Sequence, residues 1–404
     1  MTFGEFVDIY LWPELKQGPK GFLNFFRNNF FSIGMFDIIF FSCIIALTVF
    51  GLAMHYSASY STKSQLIFSI IGLVLMILVS QVKTSKYREI SALVMIVATL
   101  FLFAVFVTPE YNGTRRTFLG IFQPSELAKV TLIMDLAYLL DKYSDKIHKT
   151  STFYVFFGIT IFFGALVLLE SHLSGCILFL CIGYAMMWFS GEMPKKHFIL
   201  WICLALLVVA LVVWKPYSFQ PLVQEYQADR IYMWKKILFG SELSLKERTE
   251  DGRQVLQSLY GIGSGGFFGK GFGNSGQKVS NLSEKANDFI FAVIGEELGF
   301  VGCLLLIALF GVLIFKGFKI GLDSHNMYNR LVCFGISTQM ALQVLINIAV
   351  TTSILPNTGI SLPFFSDGGS SMIFTMVSMG LMLGISKENK AYKKIDKGVP
   401  EDEG

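Results

Sequence analysis

In a chain this apolar, the residues that could do chemistry are the few charged and hydroxyl-bearing ones interrupting its hydrophobic runs, and they fall in four clusters. In residues 111–129, YNGTRRTFLGIFQPSELAK, Pro124 followed by Ser125 has the form of a helix start. That places Glu126 and Lys129 three apart on one helix face. Opposite charges so spaced either form a structural ion pair or face a substrate. Left against lipid, each would cost about 2.5 to 3.5 kcal/mol at the bilayer centre, so both must turn inward in either case. The second cluster, Glu170, Ser171, His172, Leu173, Ser174 and Gly175, makes a very short turn. A lone histidine in such a turn reads as a hydrogen-bonded packing residue before it reads as a catalyst.

The third cluster, residues 257–297, runs through a glycine-rich stretch and Asp288 to Glu297. Eight of the sixteen residues from Gly261 to Gly276 are glycine, which lets successive N–H groups point one way as an anion-binding nest. The match of Gly261, Gly263 and Gly266 to GxGxxG is a false lead for a dinucleotide, because no strand precedes it and no βαβ unit follows. Asp288 comes next, at the mouth of an apolar run, with Lys270, Lys278, Glu284 and Lys285 upstream. A carboxylate partly withdrawn from water yet able to exchange protons with it suits a general base. Two turns deeper, Glu296 and Glu297 are about 100° apart on a helix, so at least one must face protein or a cavity. The fourth cluster, residues 347–371, reads NIAVTTSILPNTGISLPFFSDGGSS. Its prolines and glycines rule out a continuous helix, and irregular backbone at membrane depth survives only inside protein or around a wet cavity. The expected shape is a re-entrant or folded loop capping a cavity, with Thr351, Thr352, Thr358, Ser366, Ser370 and Ser371 offering hydroxyls to a polar ligand.

The elements that must position these clusters are membrane helices. Of 404 residues 53% are apolar and 15% charged, with a mean hydropathy of +0.58, well short of the roughly 25% charge of a soluble domain. At about 20 apolar residues per crossing, ten spans are predicted near 34–54, 65–82, 90–108, 125–140, 153–170, 175–190, 197–214, 289–315, 331–352 and 371–386. The fourth is interrupted by Glu126, Lys129 and Asp135. The fold class is therefore all-α: a ten-helix membrane domain over 34–386, with tails at 1–33 and 387–404 and one large hydrophilic loop at 215–288. Residues 22–31, rich in phenylalanine, read either as a headgroup-level segment or as an ordinary tail, and no cleavable leader is expected at the start. With both termini cytoplasmic, the inner segments hold nineteen Lys and Arg, while the short outer loops hold only Lys63, Arg115 and Arg116. The 215–288 loop then lies outside, and its glycine and aromatic content argues that it is ordered. A net charge of +4 without a basic patch gives no support for nucleic-acid binding, and none is expected. Six cysteines in apolar runs, with no CxxC or HExxH, read as packing residues and not as metal ligands.

At these clusters the sequence resembles the SEDS family of bacterial membrane glycosyltransferases, the FtsW, RodA and SpoVE group, and within it the FtsW and SpoVE branch. The matching residues are Gln123, Pro124, Ser125, Glu126 and Lys129; the GSGG segment with Gly269, Gly271, Gly273 and Lys278; NDFIFAVIGEELGFVG over 287–302; and LPNTGISLPFFSDGGSS over 355–371. Departures stand at Thr117, Ser171, Ser283 and Asp367, none of which removes a charged site residue. The resemblance implies polymerisation of lipid II into glycan strands at the outer face of the cytoplasmic membrane, with Asp288 as the catalytic residue. It also implies a class B penicillin-binding protein as cross-linking partner and a place among other divisome proteins. Such chemistry needs a base for the attacking 4-hydroxyl and a clamp for the departing pyrophosphate. Asp288 would be the base. Lys129, Arg115, Arg116, Lys278 and the glycine nest are candidates for the clamp, or a divalent cation, Mg or Mn, bridging phosphate to a carboxylate. Gln123, Ser125, Glu126, Glu284, Ser370 and Ser371 complete the expected substrate-binding set. The sequence also admits two other readings: a flippase for lipid-linked sugars, which would place charges near the midplane in two similar halves, and a non-catalytic division scaffold.

Overall fold

A computed structural model describes residues 36–59, 62–107, 122–170, 173–191, 195–219, 225–244, 246–247, 252–276, 288–366 and 368–396. Among the described residues the chain forms twelve α-helices: α1 Ile38–Ser59, α2 Lys63–Gln81, α3 Thr84–Val105, α4 Pro124–Lys142, α5 Thr150–Leu169, α6 Leu173–Phe189, α7 Lys195–Trp214, α8 Glu225–Leu238, α9 Arg253–Gly265, α10 Ile290–Leu322, α11 Met327–Thr351 and α12 Gly369–Asp396. Eight of them (α1, α2, α3, α5, α7, α10, α11 and α12) are long and apolar enough to cross a membrane. The chain is a multi-pass membrane protein. Of the ten predicted spans the other two are α6, apolar but only 17 residues long, and α4.

Helix α4 falls short on hydropathy because its charges are turned into protein. Pro124 occupies its first turn, where a missing N–H costs nothing. From there to Leu140 nearly every residue is buried, Glu126, Lys129 and Asp135 included. The helix packs against α3, α6, α11 and α12 and so lies at the centre of the bundle. Around it α2 packs on α12, α5 on α6, and α10 on both α1 and α11. Fully buried phenylalanines, among them Phe40, Phe153, Phe163, Phe179, Phe289, Phe310 and Phe365, fill the spaces between helices. At the other extreme α7 is peripheral, with residues 202–211 all exposed, the surface a lipid-facing helix presents.

Helix α10 is longer than one crossing. At Gly299 (φ 66°) the helical backbone breaks, and the part after it, at 1.5 Å per residue, spans roughly 35 Å, about one membrane thickness. The part before it, Ile290 to Glu297, is buried. The break exists so that a second chain segment can approach: a Cβ on Gly299 would stand 2.3 Å from the Gly269 nitrogen, and a Cβ on Gly269 2.2 Å from the Glu297 carbonyl oxygen. The glycine-rich segment after α9 thus lies directly on α10. The predicted 215–288 loop accordingly contains two helices, α8 and α9, and α9 packs on α10 and α11. Several boundaries differ from those expected, α10 for instance running on to Leu322; two of them, the start of α3 at Thr84 and the end of α12 at Asp396, share one polar anchor. In both cases polar side chains hold the extra turns: Glu388 accepts bonds from the Thr84 N–H (2.7 Å), the Thr84 hydroxyl (2.6 Å) and Asn329 Nδ2 (3.1 Å).

Between α11 and α12 the chain is irregular, as its prolines and glycines predict, and side chains from the surrounding helices satisfy its backbone. Ser258 of α9 donates to the Thr351 carbonyl (2.7 Å), Trp234 of α8 to that of Ser353 (3.0 Å) and Ser174 of α6 to that of Thr358 (2.7 Å). Gln65 of α2 donates to the Ser366 carbonyl (3.3 Å). Non-helical backbone inside a helical bundle requires this kind of replacement for lost ladder bonds. Two non-glycine residues here have positive φ, Ser353 (59°) and Phe364 (67°), so the loop is held in a conformation costing about 1 to 3 kcal/mol per such residue.

Candidate active site

The start of α4 places the first pair. Lys129 Nζ lies 2.8 Å from Glu126 Oε1, with side chains only 5% and 9% exposed. Glu126 is in the first turn, where a carboxylate complements the positive end of the helix dipole. Just before it, Gln123 receives no side-chain cap bond; its Nε2 donates to Ser125 Oγ (3.0 Å) and its N–H to Ser370 Oγ of α12 (3.3 Å). The α4 and α12 N-termini are thereby joined. Ser371 lies 3.5 Å from Ser361 across the irregular loop, and the Leu362 N–H donates to Ser366 Oγ (2.8 Å).

These residues surround a cavity of about 240 Å³. Gln123, Ser125, Glu126 and Lys129 form one wall; Gly175, Leu178 and Phe179 of α6 a second; Gln343 of α11 and Gly359, Ile360, Ser361, Ser366 and Gly368 of the loop a third, with Ser370, Ser371 and Asp288 completing it. Asp288 is half-buried and precedes α10, whose N-cap is Phe289 and not Asp288. Every described member of the expected site, Asp288, Glu126, Lys129, Gln123, Ser125, Ser370 and Ser371, lines this one cavity. Arg115, Arg116, Lys278 and Glu284 lie outside the described residues, as do His172, the phenylalanine-rich segment at 22–31 and the four departures from the family pattern. A larger groove of about 530 Å³ runs along α1 between Phe41 and Ala53. Its lining is apolar apart from Ser42, which leaves it no means of polar chemistry.

Two expectations need correction. The glycine-rich segment is a nest, but its anions are the protein's own. Glu297 accepts the N–H groups of Gly273 (3.1 Å) and Ser275 (3.4 Å) and the hydroxyl of Ser57 on α1 (2.6 Å). Glu296 accepts the Gly276 N–H (3.1 Å), Lys270 Nζ (2.7 Å) and the Ser275 hydroxyl (2.5 Å). Both carboxylates are wholly buried and neither lines the cavity, so these N–H groups are engaged and do not form the pyrophosphate clamp. The second correction concerns hydroxyls. Thr351 and Thr352 donate back to carbonyls of their own helix, at Asn347 (3.0 Å) and Ile348 (2.7 Å), and of the six expected ligand hydroxyls only Ser366, Ser370 and Ser371 line the cavity.

Two polar residues outside the fourth cluster, Gln339 and Gln343, continue it along α11. Gln339, Gln343, Asn347 and Thr351 stand four residues apart along α11 and all are buried, a polar stripe on an otherwise apolar span. Such a stripe signals a face turned to a polar interior; here it delivers Gln343 to the cavity and Asn347 to its rim.

Comparison with known proteins assigns the architecture. The FtsW/RodA/SpoVE family, described as cell cycle proteins, has a family model that matches residues 27–391. The chain belongs to this family. It is 31% identical over 386 residues to a probable peptidoglycan glycosyltransferase FtsW of Geobacter metallireducens, covering 90% of this chain and 98% of that one. It is 32% identical over 375 residues to the stage V sporulation protein E of Bacillus subtilis, covering 88% and 98%. Among solved structures, it superposes on a chain of a peptidoglycan synthase complex studied for coordination of polymerization and crosslinking, with a TM-score of 0.73, 26% identity and coverage of 88% and 98%. The rod shape determining protein RodA of Thermus thermophilus matches with a TM-score of 0.65, 25% identity and coverage of 88% and 97%.

Proposed function

We propose that this FtsW/RodA/SpoVE family member is a peptidoglycan glycosyltransferase of cell division or a related wall-building process, polymerising lipid II at the outer face of the cytoplasmic membrane. The observation that carries the reading is the convergence of residues from three distant parts of the chain, at 123–129, 288 and 370–371, on one small polar cavity. The FtsW relatives, named as glycosyltransferases, support it.

In this reading the 4-hydroxyl of one lipid-linked sugar attacks the anomeric carbon of another. Asp288 takes the hydroxyl proton, the new C–O bond forms, and the bond to the lipid pyrophosphate breaks with its electrons leaving on the phosphate oxygen. Gln123, Ser125, Ser370 and Ser371 offer hydrogen bonds to sugar or phosphate oxygens. Lys129, oriented by Glu126, meets the developing phosphate charge, where a fixed ammonium in a site shielded from water is most effective. The described lining holds two carboxylates and one ammonium, so binding an anionic pyrophosphate calls for more positive charge. Arg115, Arg116 and Lys278 are the candidates within the chain. A divalent cation, Mg or Mn, is the other source, with Glu126 and Asp288 as carboxylates to hold it. Among the described residues no three His, Cys, Asp or Glu cluster, so such an ion would be carried chiefly by phosphate and water, and its chemistry would be neutralisation of the leaving diphosphate.

The proposed orientation has both termini cytoplasmic and α8 and α9 outside. The proposed partner is a class B penicillin-binding protein that cross-links the new strand, alongside other divisome proteins; the synthase complex among the structural relatives supports a shared assembly. The test is purified protein, alone and with its cognate class B penicillin-binding protein, incubated with lipid II and resolved for glycan chains. Absence of chains in both would count against a polymerase, and lipid II transfer across sealed vesicles without chain growth would mark a flippase.

A further inference from the structure

Asp288 carries a backbone carbonyl that α10 does not use. A helix beginning one residue earlier would bond it to the Ala292 N–H, but that N–H donates instead to the Phe289 carbonyl (3.0 Å). The Asp288 carbonyl is taken up from another helix: Asn347 Nδ2 on α11 donates to it at 2.9 Å. The same nitrogen donates to the Ile360 carbonyl at 2.8 Å. Asn347 is 1% exposed, so its amide cannot trade these partners for water. Both of its N–H bonds are spent joining the turn that bears Asp288 to the loop that forms the opposite rim of the cavity. Beside Ile360, Gly359 (φ 70°) runs close under the carboxylate, where a Cβ would stand 3.5 Å from Asp288 Oδ2.

We infer that Asn347 is a positioning residue for the transfer reaction: it sets the Asp288 backbone against the 359–361 segment, so that the carboxylate enters the cavity at a fixed place relative to the sugar-binding rim. This rests on the reading of Asp288 as the base. Asn347 does not itself line the cavity, and both of its N–H bonds go to backbone carbonyls of lining residues, so it acts through backbone placement. A base displaced by about 1 Å loses on the order of 10²-fold in rate, and that sets the expected effect.

The test is Asn347→Leu, which keeps the branching at Cγ and removes both donors, measured for thermal stability, lipid II-binding sites per protein, KM, and kcat per binding site, with Asp288→Asn alongside. The expected result is wild-type site number, KM within about twofold, and kcat per site lowered about 10- to 100-fold. A purely structural role predicts fewer sites and lower thermal stability at unchanged kcat per site, and that result overturns the inference. If Asn347→Leu does not insert, Asn347→Asp replaces it, being of equal size but lacking the paired donors; failure of both to insert makes Asn347 a folding residue and also overturns the inference. An inactive Asp288→Asn beside a wild-type kcat in the Asn347 variant sinks the positioning role alone. An active Asp288→Asn removes the base and the positioning role with it.

Discussion

The Lys129–Glu126 pair separates structure from chemistry most sharply, because its charges are buried, adjacent on one helix and beside the cavity. In Lys129→Ala the Glu126 carboxylate keeps its buried position but loses the ammonium 2.8 Å away. Breaking a buried pair costs about 3 to 5 kcal/mol, and since the cavity admits water on one side the expected loss is the lower figure, about 3 kcal/mol. The double exchange Glu126→Lys with Lys129→Glu restores the attraction but puts the cation in the first turn of α4, against the helix dipole, at about 0.3 to 1 kcal/mol. Stability should therefore return to within about 1 kcal/mol of wild type. Activity should not return, because a carboxylate now stands where the ammonium met pyrophosphate. Unfolding in detergent gives the first quantity and lipid II polymerisation the second. A stable exchanged protein that makes glycan chains would refute the substrate-facing role and leave the pair as a packing device. An exchanged protein as unstable as the single variant would refute the electrostatic account of its burial.

Three further outcomes follow from the geometry. Because the N–H groups of Gly273 and Ser275 bond different oxygens of Glu297, Glu297→Gln turns an amide NH₂ toward one of them and removes the charge from the bond to the other; a loss of about 1.5 to 3 kcal/mol should free the glycine-rich segment, seen as faster proteolysis between Phe267 and Gly276. Near α8, Lys236 Nζ lies 2.5 Å from Glu247 Oε1, and that bond, with those from the Ser244 backbone and hydroxyl, pulls the Glu247 carboxyl down to about 2. Because the carboxyl is lowered, the contact is fully present above the ordinary value near 4.5 and is lost as pH falls toward 2; protection of residues 236–247 from hydrogen exchange should fall in that window and not at pH 6 to 8. A cysteine at Ser241 should react with a membrane-impermeant reagent in intact cells; reaction only after permeabilisation would reverse the orientation.

Much of the fold and site could be read in advance because the relevant signals are local. Pro124 ahead of a charged pair at i, i+3 specifies where α4 starts and which side chains meet, and the prolines and glycines of 355–369 exclude a helix whatever surrounds them. The misreadings came from long-range partners. A glycine run shows that N–H groups can converge, but the carboxylates they converge on, Glu296 and Glu297, lie some 20 residues further along, and only the break at Gly299 brings both within reach. Helix α4 was expected at 125–140 and forms at Pro124–Lys142 despite its charges, since a helix surrounded by other helices need not be apolar on every face. The polar stripe from Gln339 to Thr351 was local and visible; its meaning depended on α11 bordering the cavity, which no spacing along α11 reveals.

The proposed mechanism stands on Asp288 as the base of a glycosyl transfer. Asn at this position keeps size and polarity and cannot accept the proton, and the helix loses no cap because Phe289 holds that place. The decisive measurement is the initial rate of lipid II polymerisation by Asp288→Asn, in complex with the cognate class B penicillin-binding protein, at lipid II concentrations where binding is shown to be saturated. The expected result is unchanged thermal stability and lipid II binding with a rate reduced about 10²- to 10⁴-fold. A near wild-type rate would contradict it and move the search for the base to the cavity's other carboxylate, Glu126, and to Glu284.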